Sequence, residues 1–204
     1  MAKLSTPKGK LVRKLGTNIF GNPKFDKLLS KKGYGPGQHG KTGKRLSTYS
    51  TQLQEKQKIK FTYGMLEKQF RIYFKKASQM KGETGLNLLL MLETRLDNIV
   101  FKLGFAPSRP SARQLVSHGH FLVNNKKVNI ASYRMKPGDI VQVREKSKKI
   151  DIILNSIKMI KGDLNTSWLS LDKAKMEGTL VSLPERSEID MTINEQLVVE
   201  YYSR

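Results

Sequence analysis

The stretch Gly35-Pro36-Gly37-Gln38-His39-Gly40-Lys41-Thr42 satisfies G-x-x-x-x-G-K-S/T, the loop with which nucleotide hydrolases cradle phosphates. That loop works because a buried strand feeds it and a helix leaves it, aiming backbone N–H groups and the helix dipole at the anion. Here the preceding residues 28–34 are too basic and broken for a central strand, and Gly43-Lys44-Arg45 stands where an apolar helix should begin. No later apolar strand ends in an aspartate that would hold magnesium. The match is therefore read as coincidence in a glycine- and lysine-rich loop, which can still follow an RNA backbone.

The three histidines, His39, His118 and His120, have no carboxylates or thiolates around them in the chain, so solvent or RNA contact suits them better than a metal. Glu93 and Asp97 stand four apart with Arg95 between them, which reads as surface ion pairing rather than paired acid–base chemistry. No Ser/His/Asp constellation can be argued from spacing. Arg109 and Arg113 are more informative. Relative to the apolar stripe Ala112, Leu115 and Val116 they project about 80° to one side of a helix, one turn apart, a spacing that fits successive phosphates. Lys126, Lys127 and Arg134 extend this into a basic patch suited to the backbone of folded RNA.

Charge supports that direction. The 204 residues carry 38 Lys+Arg against 17 Asp+Glu, a formal net charge of +21, and such a surplus implies a polyanionic partner. Basic residues outnumber acidic ones by 11 in residues 1–50, by 4 in 51–100 and by 9 in 101–150, and are outnumbered by 3 thereafter. The polyanion should touch the first and third quarters and largely miss the fourth. With no cysteine, disulfides, thiolate zinc sites, iron–sulfur clusters and a cysteine nucleophile are excluded, and a reducing cytosol is compatible. The longest apolar run, Leu88–Leu92, has five residues where a membrane span needs about 20, and no secretory signal is visible. A soluble, cytoplasmic chain is expected.

These side chains need elements to hold them. Residues 1–45 are dominated by Lys, Gly and Pro, with Lys8, Lys10, Arg13, Lys14, Lys31 and Lys32 among the cations, and cannot bury enough surface to fix themselves. They are expected to be an extended arm ordered by RNA. Leu66, Phe70, Tyr73, Phe74 and Ala77 predict an apolar helix stripe, and a second helix is predicted from about Leu86 to Leu103, stopped by Gly104. Ser108 caps a third through Ser117, with Pro110 in its first turn and Gly119 ending it. Phe121–Val123 and Lys126–Ile130 form a hairpin around Asn124-Asn125, and Pro137-Gly138-Asp139 turns into a further strand from Ile140. Trp168, Leu169 and Leu171 form a short buried piece, residues 197–202 an apolar terminus that docks, and Gly162 and Pro184 are punctuation.

Several stretches resemble, in order, the S-four family of bacterial small-subunit ribosomal proteins. They are Pro36-Gly37-Gln38-His39-Gly40, Gln52 to Lys58, Tyr63 to Phe70, Leu92-Glu93-Thr94-Arg95-Leu96-Asp97-Asn98, Ser111 to Gly119, Val123 to Lys126, Lys175 to Thr179 and Pro184 to Ser187. The resemblance implies a non-enzymatic protein, without cofactor or small-molecule substrate. It would bind early to a helix junction in the 5′ domain of small-subunit ribosomal RNA and nucleate assembly. It also implies a place near incoming messenger RNA and an interface with ribosomal protein S-five, around Tyr49–Gln54 and the C-terminal stretch, that affects decoding accuracy. Carried over residue by residue, the RNA face includes Arg109, Arg113, Gln114, His118 and Lys126, to which the hairpin adds Lys127. Lys41, Lys44 and Arg45 would face RNA near the incoming messenger. Some members hold their N-terminal segment around zinc with four cysteines, and this chain has none.

The expected class is α+β. It comprises a basic arm at 1–45, a helical domain at 46–92 completed by about 190–204, and an inserted RNA-binding domain at 93–158 of two helices packed on a small antiparallel sheet. Residues 159–189 are a packing segment. The rival from another class is an RNA-modifying enzyme carrying the same small domain. It lacks a glycine-rich cofactor turn after a strand and a catalytic carboxylate that can be placed. A general nucleic-acid condensing protein is the third reading, to be separated by competition between duplex DNA and structured RNA.

Overall fold

The computed structural model of the chain describes residues 6–42, 47–160, 166–189 and 193–203. It divides into two compact units, residues 1–85 with 192–204, and residues 86–191.

In the first unit the N-terminal forty residues are not extended throughout, as the sequence led us to expect. They form α1 (Lys8–Leu15) and α2 (Pro23–Lys31), which pack together. The few apolar residues of this basic stretch fall on one stripe, so Leu11, Val12 and Leu15 are buried while the lysines around them stay in water. Asn22 caps α2 by accepting a hydrogen bond from the Lys24 N–H at 2.9 Å, with Pro23 at its first position. Then come α3 (Thr48–Thr62), capped by Ser47, and α4 (Glu67–Ser78), which buries Phe70, Tyr73 and Ala77 of the predicted stripe, whereas Leu66 stands exposed at the N-cap before the helix begins. A fully buried side chain such as Phe70 contributes about 2–3 kcal/mol through its apolar area.

The helix predicted over Leu86–Leu103 is two helices, α5 (Thr84–Glu93) and α6 (Leu96–Lys102). Apolar periodicity runs through the join, so the break has a tertiary cause. The Met135 N–H donates to the Thr94 carbonyl at 2.9 Å, the Leu96 N–H donates to Tyr133, and Arg95 forms a β-bridge with Arg134. These bonds to a distant segment replace the helical ladder.

The second unit holds α6, α7 (Arg109–Ser117) and an antiparallel sheet of β1 (Phe121–Val123), β2 (Lys126–Lys127), β3 (Ile140–Val143), β4 (Leu169–Asp172) and β5 (Glu177–Leu180), with α8 (Asp151–Lys158) between β3 and β4. The strand order is β2-β1-β3-β5-β4. Asn124 and Asn125 take the φ values of 48° and 64° that the tight turn requires. The sheet is wider than expected. Residues 169–180 are two of its strands rather than a separate packing segment, because Trp168, Leu169 and Leu180 share one apolar core with Leu96, Ile99, Leu115, Phe121 and Val141. The last described helix, α9 (Glu195–Tyr202), belongs to the first unit and packs on α3, where Gln52 donates to Glu200 at 2.9 Å. Gly162 lies outside the described residues.

Candidate nucleic-acid interface

The start of α6 and the length of α7 carry the polar core of the second unit. Glu93, Arg95, Asp97 and Asn98 are all buried, so the expectation of a surface ion pair at Glu93 and Asp97 is corrected. Arg95 donates to both carboxylate oxygens of Asp97, Nε to Oδ1 at 3.0 Å and Nη2 to Oδ2 at 2.8 Å. Arg113 reaches the same carboxylate from α7, Nε at 2.8 Å and Nη2 at 2.7 Å from Oδ2. A buried carboxylate is tolerable only when fully paired, and two guanidiniums supply that pairing. Beside it, Asn98 donates to the side chain of Glu93 at 2.7 Å and to its carbonyl at 3.0 Å. Asn98 in turn accepts from Arg109 Nε at 2.8 Å, while the Arg109 guanidinium sits 4.7 Å from the Phe101 ring centre. The two arginines predicted to lie on one flank of α7 do so, and each is anchored from α6.

Ser108 caps α7 by accepting from the Ser111 N–H, and Gly119 ends it with φ +74°. A Cβ at Gly119 would lie 2.4 Å from Cε of Lys127, so the stem of that lysine passes over the glycine. The tight hairpin thus brings Lys127 beside the end of α7. Gln114, His118, Lys126, Lys127 and Arg134 are exposed, and Arg113 keeps 30% of its side chain accessible. His120 donates to or accepts from Ser147 Oγ at 2.9 Å, and burial, with the charges of His118 and Arg144, pulls its imidazole below the usual range.

In the first unit Lys8, Lys10, Lys14, Lys31, Lys32 and Lys41 are exposed cations, and Lys44 and Arg45 lie outside the described residues. Arg13 differs from these. It donates from Nε to the Tyr34 carbonyl at 3.1 Å and from Nη2 to the Gly35 carbonyl at 2.9 Å, and it stacks 4.9 Å from the Tyr34 ring centre, with Lys41 5.4 Å from the same ring. Arg13 therefore holds the loop from Tyr34 in place, which its basic character in the sequence could not reveal. That loop follows α2 and the exposed Lys31 and Lys32, with no strand before it among the described residues, so it lacks the strand that feeds a nucleotide-hydrolase loop.

A second polar cluster joins α3, α4 and α9. Lys56, 3% exposed, donates to Glu67 Oε1 at 2.6 Å, Lys60 donates to Oε2 at 2.9 Å and the Tyr202 hydroxyl to Oε1 at 3.0 Å. Burial pushes the Glu67 carboxyl up, but the hydrogen bonds and charges of the two lysines outweigh it and bring its pKa to about 2. Burial, then the Glu67 charge, drives the Tyr202 phenol upward. Tyr202 stacks on Phe74 at 4.4 Å, and a cavity of about 470 Å³ opens beside Tyr49, Leu53, Arg71 and Tyr201. Among the described residues no group of three or more His, Asp or Glu could hold a metal ion, and no helix is long and apolar enough to cross a membrane.

Residues 3–93 match the family described as Ribosomal protein S4/S9 N-terminal domain, and residues 94–141 match the S4 domain. The Small ribosomal subunit protein uS4 of Bacteroides fragilis is 52% identical over 205 residues, all of both chains. That of Oenococcus oeni is 51% identical over 207 residues, all of this chain and 99% of the relative, and that of Chloroherpeton thalassium 48% over the full length of both. The chain belongs to the S-four family of small ribosomal subunit proteins. In this S-four chain the two matched segments meet at Glu93 and Thr94, where α5 ends, and the S4 domain match stops inside β3. β4 and β5 complete the sheet beyond it. The residues that sequence reasoning missed are Asp97 and Asn98, whose side chains hold the arginines. Their signal was the excess of polar residues, Glu93 to Asn98, amid an otherwise apolar stripe.

Proposed function

We propose that the protein is a non-enzymatic constituent of the small ribosomal subunit in the cytoplasm. In this reading it docks on a helix junction in the 5′ domain of the small-subunit ribosomal RNA early in assembly and nucleates the folding of that domain. The observation that carries this is the grouping, on one small scaffold, of exposed Gln114, His118, Lys126 and Lys127 with two anchored arginines, in a chain of net charge +21. Such a surface recognises the shape and phosphates of folded RNA, which side chains cannot read through its deep groove. The exposed lysines of α1 and α2 add contacts to the ribosomal RNA backbone, and Lys41 faces RNA near the incoming messenger. The region around Tyr49–Gln54 and α9 would meet ribosomal protein S-five and through it influence decoding accuracy. Gln52, turned inward to Glu200, shapes that surface rather than contacting the partner.

The test is binding to a transcribed 5′ domain across salt concentrations. If about eight phosphates are neutralised, log affinity should fall against log salt with a slope of roughly −6 to −7. A flat response, or equal affinity for duplex DNA in competition, would contradict the reading.

A further inference from the structure

We infer that Asp97 and Asn98 are positioning residues that fix Arg113 and Arg109 as a preset pair of phosphate clamps; the inference rests on the RNA-binding reading above. Both arginines are gripped through Nε, Arg113 by Asp97 Oδ2 and Arg109 by Asn98 Oδ1. An arginine held at Nε loses the freedom of its last torsions, and its guanidinium plane takes an orientation set by the anchor.

The anchors are themselves immobile. Asp97 is 3% exposed and held by two donors of Arg95, Nε and Nη2, and Asn98 is 1% exposed. Because Glu93 takes the amide NH₂ of Asn98 at two oxygens, the Asn98 carbonyl must turn toward Arg109. Consecutive residues on α6 thus serve arginines one turn apart on α7. The side-chain entropy that an unanchored arginine loses on meeting a phosphate has already been given up in folding, which is how preorganisation raises affinity.

Net charge argues the same way. A carboxylate beneath a surface that binds a polyanion repels it, so Asp97 opposes binding by simple electrostatics and is useful there only through Arg113.

The decisive variant is Arg113→Lys, in the full chain with the transcribed 5′ domain. It keeps the charge and leaves the Arg95–Asp97 pair in place. The expected result is affinity lower by about tenfold with the salt slope unchanged. Unmutated affinity overturns the inference, since any cation at this site would then suffice. A second arm uses Asp97→Asn, which by charge alone should tighten binding. We expect about tenfold weaker binding in the unmutated background and under about twofold further loss when Arg113 is already Ala. Tighter binding, or an equal loss in both backgrounds, refutes positioning and leaves a purely structural role. Circular dichroism and thermal unfolding accompany each variant, and Arg113→Lys decides the matter alone if Asp97→Asn does not fold. Failure of the RNA reading itself looks different, because the unmutated chain would then lack salt-dependent binding.

Discussion

Glu67 and Asp97 are both carboxylates gripped by two cations, one in each unit, and their surroundings give them different consequences. Glu67 keeps 44% of its side chain in water and its partners are lysines, compact charges on flexible stems. Asp97 is 5% exposed at its side chain, and its partners are arginines whose planar forks fix direction as well as charge. The first arrangement holds α3, α4 and α9 together through charge and an aromatic stack. The second converts an ion pair into geometry on a surface. Burial and fork geometry, more than the count of salt bridges, decide whether a polar cluster stabilises or also orients.

The largest expected effect tests the buried member. Asp97→Ala leaves Arg95, itself buried, without its carboxylate, and should destabilise the protein by about 3–5 kcal/mol in urea unfolding. A loss no greater than that at Glu67 would erase the contrast between the two clusters. Glu67→Gln should cost about 1–2 kcal/mol at pH 7, discounted for the exposure of that side chain. Its pH dependence has a definite sign. Because the folded pKa of about 2 lies below the ordinary 4.5, the contribution is fully present above about pH 4.5 and is lost as pH falls toward 2. The difference in stability between the unmutated chain and Glu67→Gln should therefore shrink over that window, and a constant difference would mean that Glu67 does not titrate as its partners require.

Gly119→Ala places a Cβ in a left-handed conformation against the Lys127 stem, and a loss of about 1 kcal/mol in thermal unfolding is expected. Smallest is Lys126→Ala, an exposed hairpin cation. It should change stability by less than about 0.5 kcal/mol while reducing the magnitude of the salt slope for RNA by about 1. A larger stability loss would show that the hairpin cations are structural too.

Much of the second unit was legible because local rules set it. Ser108, Pro110 and Gly119 delimit α7 as capping chemistry requires, and Asn124-Asn125 turns the hairpin at the predicted place. The break between α5 and α6 was not legible, since the groups that create it, the Tyr133 carbonyl and the Met135 N–H, lie some forty residues away. The anchors were hidden by residue type instead: Glu93, Arg95 and Asp97 are what a solvated helix face carries, and only the partners that packing brings to them make burial tolerable. The helices of the first forty residues were missed because three buried side chains, Leu11, Val12 and Leu15, are too few to outweigh the lysines around them in composition. Arg13 was read as one cation among many, although carbonyls of the loop it holds occupy its donors.

The amino-acid order alone determined the family, the class of partner and the capped elements such as α7 and the hairpin, because ordered motifs and net charge need no fold to be read and capping residues act within a few positions of themselves. Tertiary structure decided which charges face water. The packing that strips water from Asp97 also sets Arg95 beside it and brings in Arg113 from the next helix, so that two guanidiniums replace the solvent the carboxylate has lost.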